Sequence, residues 1–246
     1  MTSVAKVERH AVTAWPSAHT EQAGGWLLRH TPGVTKRRNN SALPPAPDTR
    51  PEETIDAVEA FYAGRDLPVT VQISPAGQHT ALDAALAARG YRHEAPTLVL
   101  TAPAAEVVSR APAGPAVEIT AGLTPGWRDA YANLAVSDLV LARMRLPTGY
   151  ASVTVDGRTA ALGLFVAGDG LTGVYCMATE PRFRRRGFAA AILRAGAEWS
   201  VTHRADLMYL QVEADNEGAR RLYGKAGFTH SHGYHYRVSA SRTVPL

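Results

Sequence analysis

The segment TEPRFRRRGFA at residues 179–189 decides the fold expected for this chain. A strand-like run ends at Thr179, an arginine-rich loop follows, and Gly187 opens a helix. The first N–H groups of a helix have no intrahelical partner and the helix dipole is positive there, so such a turn suits an anion such as a pyrophosphate. Neighbouring arginines add charge-assisted hydrogen bonds. Taken alone, the same residues also fit a solvated basic turn before an ordinary helix.

A second block, NEGARRLYGKAGF at residues 216–228, follows after one predicted strand. It predicts a helix that begins near Asn216 and ends at Gly227. The RxxGxA pattern at 184–189 matches the R/Q-x-x-G-x-G/A signature of the GCN5-related N-acetyltransferases, and the second block resembles that family's N-x-x-A-x-x-L-Y-x-x-x-G-F block. Residues 115–240 are therefore similar to that family in motif order, spacing and predicted secondary structure.

The resemblance implies that the chain binds acetyl-CoA. In the family, the strand before the loop splays from its neighbour and its backbone pairs with the pantetheine arm, while the loop amides cradle the pyrophosphate. Asn216 matches a position whose side chain reaches the coenzyme, although a helix start needs such a cap as well. The implied coenzyme-binding residues are Met177, Ala178, Thr179, Arg184, Arg185, Arg186, Gly187, Phe188, Ala189, Asn216 and Ala219.

The resemblance also assigns catalytic roles. A neutral amine attacks the thioester directly, so a base must remove a proton and an acid must protonate the leaving thiolate. Tyr223 matches the family tyrosine that protonates the coenzyme A sulfur; the alternative is a core aromatic on the inward face of its helix. Glu213 lies on the strand that faces the splay and is the candidate base, although the alternation of that strand could equally place it in solvent.

Two further features admit a structural interpretation. Cys176 lies on the expected coenzyme strand, where an acyl-cysteine is conceivable but a small core residue is favoured. The run His230-Ser-His232-Gly-Tyr-His235 resembles a metal site, but His235 points away from the other two on a strand, so pocket lining or plain surface is favoured and no metal is expected.

The pattern of helices and strands predicts an α/β fold with a mixed sheet. Residues 82–94 can be laid on 219–231, which predicts tandem copies, each a mostly antiparallel twisted sheet with helices on both faces. We expect a degenerate N-terminal copy at 1–102, a Pro-, Ala- and Gly-rich linker at 103–116 and a catalytic domain at 117–246.

The N-terminal copy lacks the coenzyme motifs. Leu86 stands where the tyrosine should be and His79 where the asparagine should be. A hairpin is predicted from strands at 25–30 and 35–43, and its residues Arg37, Asn39, Asn40 and Ser41 are a candidate contact for the acceptor.

Composition limits the remaining classes. The 246 residues are 46% hydrophobic and 20% charged, which is typical of a folded globular protein. A single cysteine and the absence of a leader or an apolar span favour a cytoplasmic location. The net charge of +4 could indicate nucleic acid binding, but the densest cluster, at 182–186, lies where a pyrophosphate is expected.

The resulting hypothesis is an acetyl-CoA-dependent N-acetyltransferase, monomeric or homodimeric, that acetylates the primary amine of a small metabolite such as an amino acid, polyamine or amino sugar. The alternatives are a protein N-terminal or lysine acetyltransferase and, in another class, an acyl-CoA-binding regulatory module without turnover. Membrane and nucleic acid partners are not expected.

Overall fold

The computed structural model describes residues 4–132 and 138–240, which form two compact units. Unit 1 combines the residues up to Trp15 with Val99–Ser231, and unit 2 combines Pro16–Leu98 with the residues from His232 onward. The described helices are α1 (Val4–Ala14), α2 (Ile55–Ala63), α3 (Thr80–Ala88), α4 (Ala104–Arg110), α5 (Pro125–Ala132), α6 (Asp138–Leu141), α7 (Phe188–Thr202) and α8 (Glu217–Lys225). The described strands are β1 (His19–Ala23), β2 (Trp26–His30), β3 (Ala42–Leu43), β4 (Thr70–Ile73), β5 (Arg92–Pro103), β6 (Glu118–Thr120), β7 (Thr148–Val155), β8 (Arg158–Gly168), β9 (Leu171–Thr179), β10 (Leu207–Glu213) and β11 (Thr229–Val238).

Unit 1 contains a mixed sheet with strands in the order β5, β10, β9, β8, β7, β6. The β9 and β10 strands are parallel, whereas β6 through β9 pair antiparallel in succession. Helix α7 covers the face that carries Gly163, and an ideal Cβ on this glycine would lie 2.7 Å from Ile192. The aromatic rings of Trp127 in α5 and Trp15 after α1 pack on the other face, against Tyr150 and Tyr175. This unit therefore has the predicted helices on both faces of a mixed sheet.

Unit 2 has strands in the order β1, β2, β3, β4, β11, with β3 and β4 parallel and the other pairs antiparallel. Its core contains Trp26, Ile55, Tyr62, Ile73 and Leu82, all fully buried. The predicted hairpin is wrong in one arm: β2 pairs with β1 through the turn at Gly24 and Gly25, and a 3-10 turn, Arg37–Asn39, interrupts the second predicted strand. Only Ala42–Leu43 at its end pairs with β2.

The two copies expected from the sequence have matching elements. Strands β4 and β10 begin at 70 and 207, helices α3 and α8 span 80–88 and 217–225, and strands β5 and β11 begin at 92 and 229, so each pair differs by 137. The glycine after each helix has a positive φ, 81° at Gly90 and 98° at Gly227. Each copy also pairs the strand before its helix in parallel with an earlier strand. The fold is therefore a tandem of two related α/β halves.

The last strand of each copy lies beside a strand of the other copy. In unit 2, β4 pairs with β11 of the second copy, and in unit 1, β10 is flanked by β5 of the first copy. The compact units are consequently discontinuous in sequence and differ from the sequential division into 1–102 and 117–246. The physical reason is that strand pairing depends on open sheet edges rather than on sequence order.

The expected linker at 103–116 is partly helical. It contains α4, in which Ala104 and Val107 are buried. Arg194 of α7 donates hydrogen bonds to the carbonyl oxygens of Val108 and Ala111, so the segment belongs to the core of unit 1. The helical region expected at 124–145 is present as α5 and α6, while residues 133–137 lie outside the described part of the chain.

Candidate active site

A bulge interrupts strand β9 at the position expected to hold the coenzyme. Leu162 pairs with Ala178 and Leu164 pairs with Tyr175, so two steps along β8 correspond to three along β9. The extra residue falls at Cys176, which has a left-handed backbone with φ 55°. Such a bulge increases local twist and turns the following residues away from regular pairing.

The neighbouring strand separates from β9 at the same place. The first registered pair between β9 and β10 is Leu171 with Leu207, and the last is Val174 with Leu210. Both strands continue beyond this last pair. On its other side, β9 remains paired with β8 as far as Thr179. The edge of Met177, Ala178 and Thr179 that faces β10 is therefore open, because its backbone groups lack registered β10 partners.

The arginine-rich loop joins this open edge to helix α7. A 3-10 turn, Pro181–Phe183, is followed by Arg185 with φ 63° and Gly187 with φ 80°. The first helical bond runs from the Ala191 N–H to the Gly187 carbonyl, which leaves the preceding amides of the helix start without intrahelical acceptors. An ideal Cβ on Gly187 would meet no atom within 4 Å, so the turn is open to a ligand.

The arginine side chains of the loop divide into two groups. Arg182 forms an ion pair with Glu180 at 2.6 Å and lies over the Phe183 ring. Arg184, Arg185 and Arg186 are exposed, and none of them forms an ion pair with another described residue. Three positive charges thus border a helix N-terminus whose dipole is also positive.

Helix α8 begins with the cap that its sequence predicts. The Asn216 Oδ1 accepts a hydrogen bond from the Ala219 N–H at 3.1 Å. This contact satisfies the capping interpretation and uses only one of the two polar atoms of the amide, so the Nδ2 group can still donate to a ligand. A coenzyme contact of Asn216 or Ala219 stays a prediction.

Tyr223 lies on the buried face of α8, and its ring packs edge-on against Phe228 at a centroid distance of 6.0 Å. Its side chain is 8% exposed, and its hydroxyl forms no hydrogen bond with another described residue. Burial alone raises the pKa of this phenol to about 12. The hydroxyl is therefore protonated at neutral pH and available as a proton donor. Its role as the general acid stays a prediction.

Glu213 is the last residue of β10 and is exposed. It lies three residues beyond Leu210, the last residue of β10 that pairs with β9, so it is on the separated part of the strand. The structure places Glu213 where β9 and β10 have separated, and no hydrogen bond joins it to Tyr223. Its role as a base stays a prediction.

Cys176 is half-buried and its Sγ lies 2.9 Å from the Tyr131 hydroxyl. The contact joins α5 to the bulge of β9, on the sheet face where Trp127 packs against Tyr131 and Tyr150. Sequence reasoning did not assign these aromatic residues to the site. Their only local signal is the inward spacing of Trp127 and Tyr131 in α5, because their contact with the bulge of β9 is a tertiary feature.

The histidine run does not assemble a metal site. His230 is exposed, whereas His235 belongs to unit 2 and places its Nε2 2.6 Å from Asp83. Arg237 also binds Asp83, with contacts of 2.7 and 2.9 Å. No group of three or more histidine, cysteine or acidic side chains among the described residues could hold a metal ion.

Within residues 4–132 and 138–240, none of the helices has the length and apolarity that spanning a bilayer requires.

The residues of the predicted acceptor contact make internal hydrogen bonds, and the acceptor contact itself stays a prediction. Asn39 is buried and donates to the Pro16 carbonyl, and Asn40 accepts from the Thr31 N–H at 2.8 Å. The Ser41 hydroxyl accepts a hydrogen bond from the buried Arg29 guanidinium at 2.6 Å. These contacts stabilise the loop between β2 and β3.

Comparisons with known proteins agree with this geometry. The family described as "Probable histone acetyltransferase Rv0428c C-terminal" matches residues 2–237. The curated protein "Uncharacterized N-acetyltransferase YobR" from Bacillus subtilis (strain 168) is 30% identical over 257 residues, covering 97% of this chain and 99% of that protein.

Solved structures show the same fold. A GCN5-related N-acetyltransferase from Kribbella flavida aligns with a TM-score of 0.71 and 17% identity over 98% of this chain and 95% of that one. A tandem GNAT protein from the clavulanic acid biosynthesis pathway aligns with a TM-score of 0.66 and 13% identity over 98% and 89% of the two chains. The second structure shares the tandem architecture.

Proposed function

This chain belongs to the GCN5-related N-acetyltransferases, and we propose that it moves an acetyl group from acetyl-CoA directly to a primary amine. Membership of the family makes it an acyltransferase. The observation that carries the proposal is the gap beyond Val174 and Leu210, where β9 presents an unpaired edge that leads into the open turn at Gly187.

The chain's residues fit the coenzyme in two places. The open backbone of Met177 to Thr179 can pair with the amide groups of the pantetheine arm, as a strand edge pairs with any extended chain. The amides from Arg184 to Ala189 and the guanidinium groups of Arg184, Arg185 and Arg186 can hold the pyrophosphate. When bound, acetyl-CoA supplies the acetyl thioester.

Proton movements then fall to two side chains. A protonated amine has no lone pair, so the acceptor must lose a proton before it attacks. Glu213 is our candidate for receiving that proton, directly or through water. Tyr223 gives a proton to the sulfur that leaves, and its high pKa keeps that proton in place until the thiolate forms.

We propose a small amine as the acceptor. Helix α5 contacts the bulge of β9 through Tyr131 and Cys176, so protein covers this face of the sheet beside the coenzyme strand. The second candidate is a protein lysine or N-terminal amine, and the description of the matching family as a probable histone acetyltransferase favours it.

We also propose that the N-terminal copy has lost coenzyme binding. Leu86 of its α3 helix stands at the position of Tyr223, and His79, which precedes that helix, stands at the position of Asn216. Its α2 helix follows a 3-10 turn that starts at Pro51, instead of an open glycine turn.

The test is a screen of amine acceptors with acetyl-CoA in which the released thiol is measured. Amino acids, polyamines, amino sugars and lysine peptides form the separate arms, and one of the small amines is expected to give the highest kcat/KM. The highest value with a lysine peptide would replace the small amine by the protein acceptor. Binding of acetyl-CoA without thiol release for any amine would refute the enzymatic proposal in favour of an acyl-CoA-binding module.

The Cys176→Ala variant separates direct transfer from an acyl-cysteine route. Direct attack needs no protein nucleophile, so this variant is expected to retain turnover within about a factor of three. A loss of burst and steady-state thiol release together would contradict direct transfer.

A further inference from the structure

Helix α1 carries a histidine on its buried face. Val7, His10 and Ala14 form that face, and the His10 side chain is 4% exposed. The Nδ1 atom lies 2.8 Å from the Tyr209 hydroxyl, which lies 2.7 Å from the Tyr175 hydroxyl. One side of the imidazole is therefore fixed by a chain of two phenols that joins α1 to β10 and β9.

The other side of the imidazole has no such contact. The Nε2 atom is buried and forms no hydrogen bond with any described residue. A buried polar atom loses its hydration, so a native structure normally supplies a partner from protein, water or ligand. Burial lowers the pKa of His10 to about 4, with Asp169 raising it and Lys6 lowering it. The imidazole is therefore neutral at pH 7, and the charges of Asp169 and Lys6 both influence its pKa.

A cleft of about 520 Å³ lies in front of this ring. It is lined by Lys6, Arg9, His10, Thr13, Leu146 and Asp169. Gly168 keeps the space beside Nε2 open, because an ideal Cβ there would lie 3.2 Å both from Nε2 and from the Leu146 side chain. The cleft thus combines two cations, one carboxylate and one unsatisfied imidazole nitrogen, all within unit 1.

The phenol chain can present a hydrogen-bond donor to the cleft. If Tyr175 donates to Tyr209 and Tyr209 donates to Nδ1, the neutral ring carries its proton on Nε2. An anionic oxygen in the cleft would select this arrangement, because Nε2–H, Lys6 and Arg9 would all donate to it. The oxygen atoms of the Asp169 carboxylate accept hydrogen bonds, so this side chain suits a donor group on the same ligand.

We propose that this cleft binds a small carboxylate that also carries an adjacent hydrogen-bond donor. The carboxylate contacts His10 Nε2, Lys6 and Arg9, and the donor contacts Asp169. The site is formed by α1, the β8–β9 turn and the segment before β7, none of which carries the residues assigned to acetyl-CoA. It therefore shares no lining residue with the site assigned to acetyl-CoA.

The experiment uses the full chain without acetyl-CoA, so its result does not depend on the proposed transfer activity. Glycolate and glycine supply a carboxylate with a hydroxyl or an ammonium donor, acetate lacks the donor, and inorganic phosphate replaces the carboxylate. Calorimetry gives the affinities, and the imidazole ¹⁵N resonances of His10 report contact at Nε2. Glycolate or glycine is expected to bind more tightly than acetate and phosphate and to shift Nε2 in a saturable way.

Three variants keep His10 as the reporter. Arg9→Gln is expected to weaken the binding of glycolate and glycine by about tenfold, because one charge-assisted hydrogen bond is lost. Asp169→Asn is expected to reduce the preference of glycine over acetate, because the amide oxygen still accepts a hydrogen bond but no longer carries the charge that attracts the ammonium group. Its asparagine tolerates the φ of 51° at this turn. Arg158→Gln changes an exposed arginine outside the cleft and should bind as wild type does.

The proposal is overturned if neither glycolate nor glycine shifts Nε2 in a saturable way. Equal affinity of the wild type and the Arg9→Gln variant overturns it as well. The assigned ligand class is overturned if phosphate binds more tightly than both glycolate and glycine. It is also overturned if acetate binds as tightly as the better of these two probes.

Discussion

Replacing Tyr223 by phenylalanine isolates the proton-donor role from the stability of the helix. The hydroxyl forms no hydrogen bond with a described residue, and burial is the sole cause of its raised pKa. The variant therefore breaks no internal hydrogen bond and keeps the ring that packs on Phe228. We expect unfolding free energy to change by less than about 1 kcal/mol.

Turnover is expected to fall much more. A positioned general acid contributes about 10²–10⁴-fold, so kcat should drop by that factor, which corresponds to about 3–5 kcal/mol on the barrier. The affinity for acetyl-CoA should stay within about twofold, because the hydroxyl acts on the leaving sulfur. With a pKa near 12, about one phenol in a thousand is ionised at pH 9, so the wild-type rate should show no loss from Tyr223 ionisation below that pH.

The assay is steady-state thiol release across pH 6–10 with a saturating amine, together with calorimetric binding of acetyl-CoA. Tyr91→Phe is the matched control, since Tyr91 stands at the position of Phe228 in the first copy and binds Glu59 in unit 2. It should cost stability through that lost hydrogen bond and leave kcat unchanged. Full turnover of Tyr223→Phe at neutral pH would refute the general-acid assignment.

Three further predictions concern the turn at Gly187, the core at Gly196 and the half-buried carboxylate of Asp83. Gly187→Val places a β-branched residue at φ 80° and should lower acetyl-CoA affinity at least about tenfold by calorimetry, because the loop amides must rearrange. Gly196→Ala puts a Cβ 1.9 Å from the Phe165 ring and should destabilise the protein by about 1–3 kcal/mol in urea unfolding, despite the better helix propensity of alanine. Asp83→Asn should cost about 2 kcal/mol at pH 7, because the hydrogen bonds from Arg237 lower the pKa of this carboxyl to about 2. A lowered carboxyl pKa stabilises the fold above the unfolded pKa near 4, so the difference between wild type and Asp83→Asn should shrink as the pH falls from 4 to 2.

Controls are available in the same chain. Gly33→Val changes another open glycine with φ 74° and should leave coenzyme affinity unaltered, so an equal loss there would contradict a specific role for Gly187. Gly218→Ala adds a Cβ 3.9 Å from the Asn216 Oδ1 in α8 and should be neutral or stabilising. A stability difference for Asp83→Asn that is constant from pH 7 to 2 would show that the carboxylate charge is not the cause.

The short-range parts of the site could be predicted from the sequence. The left-handed turn at Gly187, the cap at Asn216 and the inward position of Tyr223 depend on residues within one or two helical turns. Such interactions are present in the motif itself. The predicted hairpin was wrong in one arm, because the turn at Gly24 and Gly25 pairs β2 with β1, and only Ala42–Leu43 of the predicted partner strand joins β2.

The repeat was visible in the sequence, but the membership of the compact units was not. Elements offset by 137 residues confirm two related copies, whereas the exchange of β5 and β11 depends on which sheet edge each strand joins. No local pattern distinguishes pairing with β4 from pairing with β10. The compact units therefore differ from a sequential division of the chain.

The sequence by itself determined the family, the arginine-rich loop that ends at Gly187 and the identity of the candidate acid, because these reside in contiguous motifs. The tertiary structure alone decided the bulge at Cys176, the end of pairing between β9 and β10, and the contact of His10 with Tyr209 across 199 positions. Each of these depends on packing between distant segments, and packing is set by shape and register that no single segment encodes.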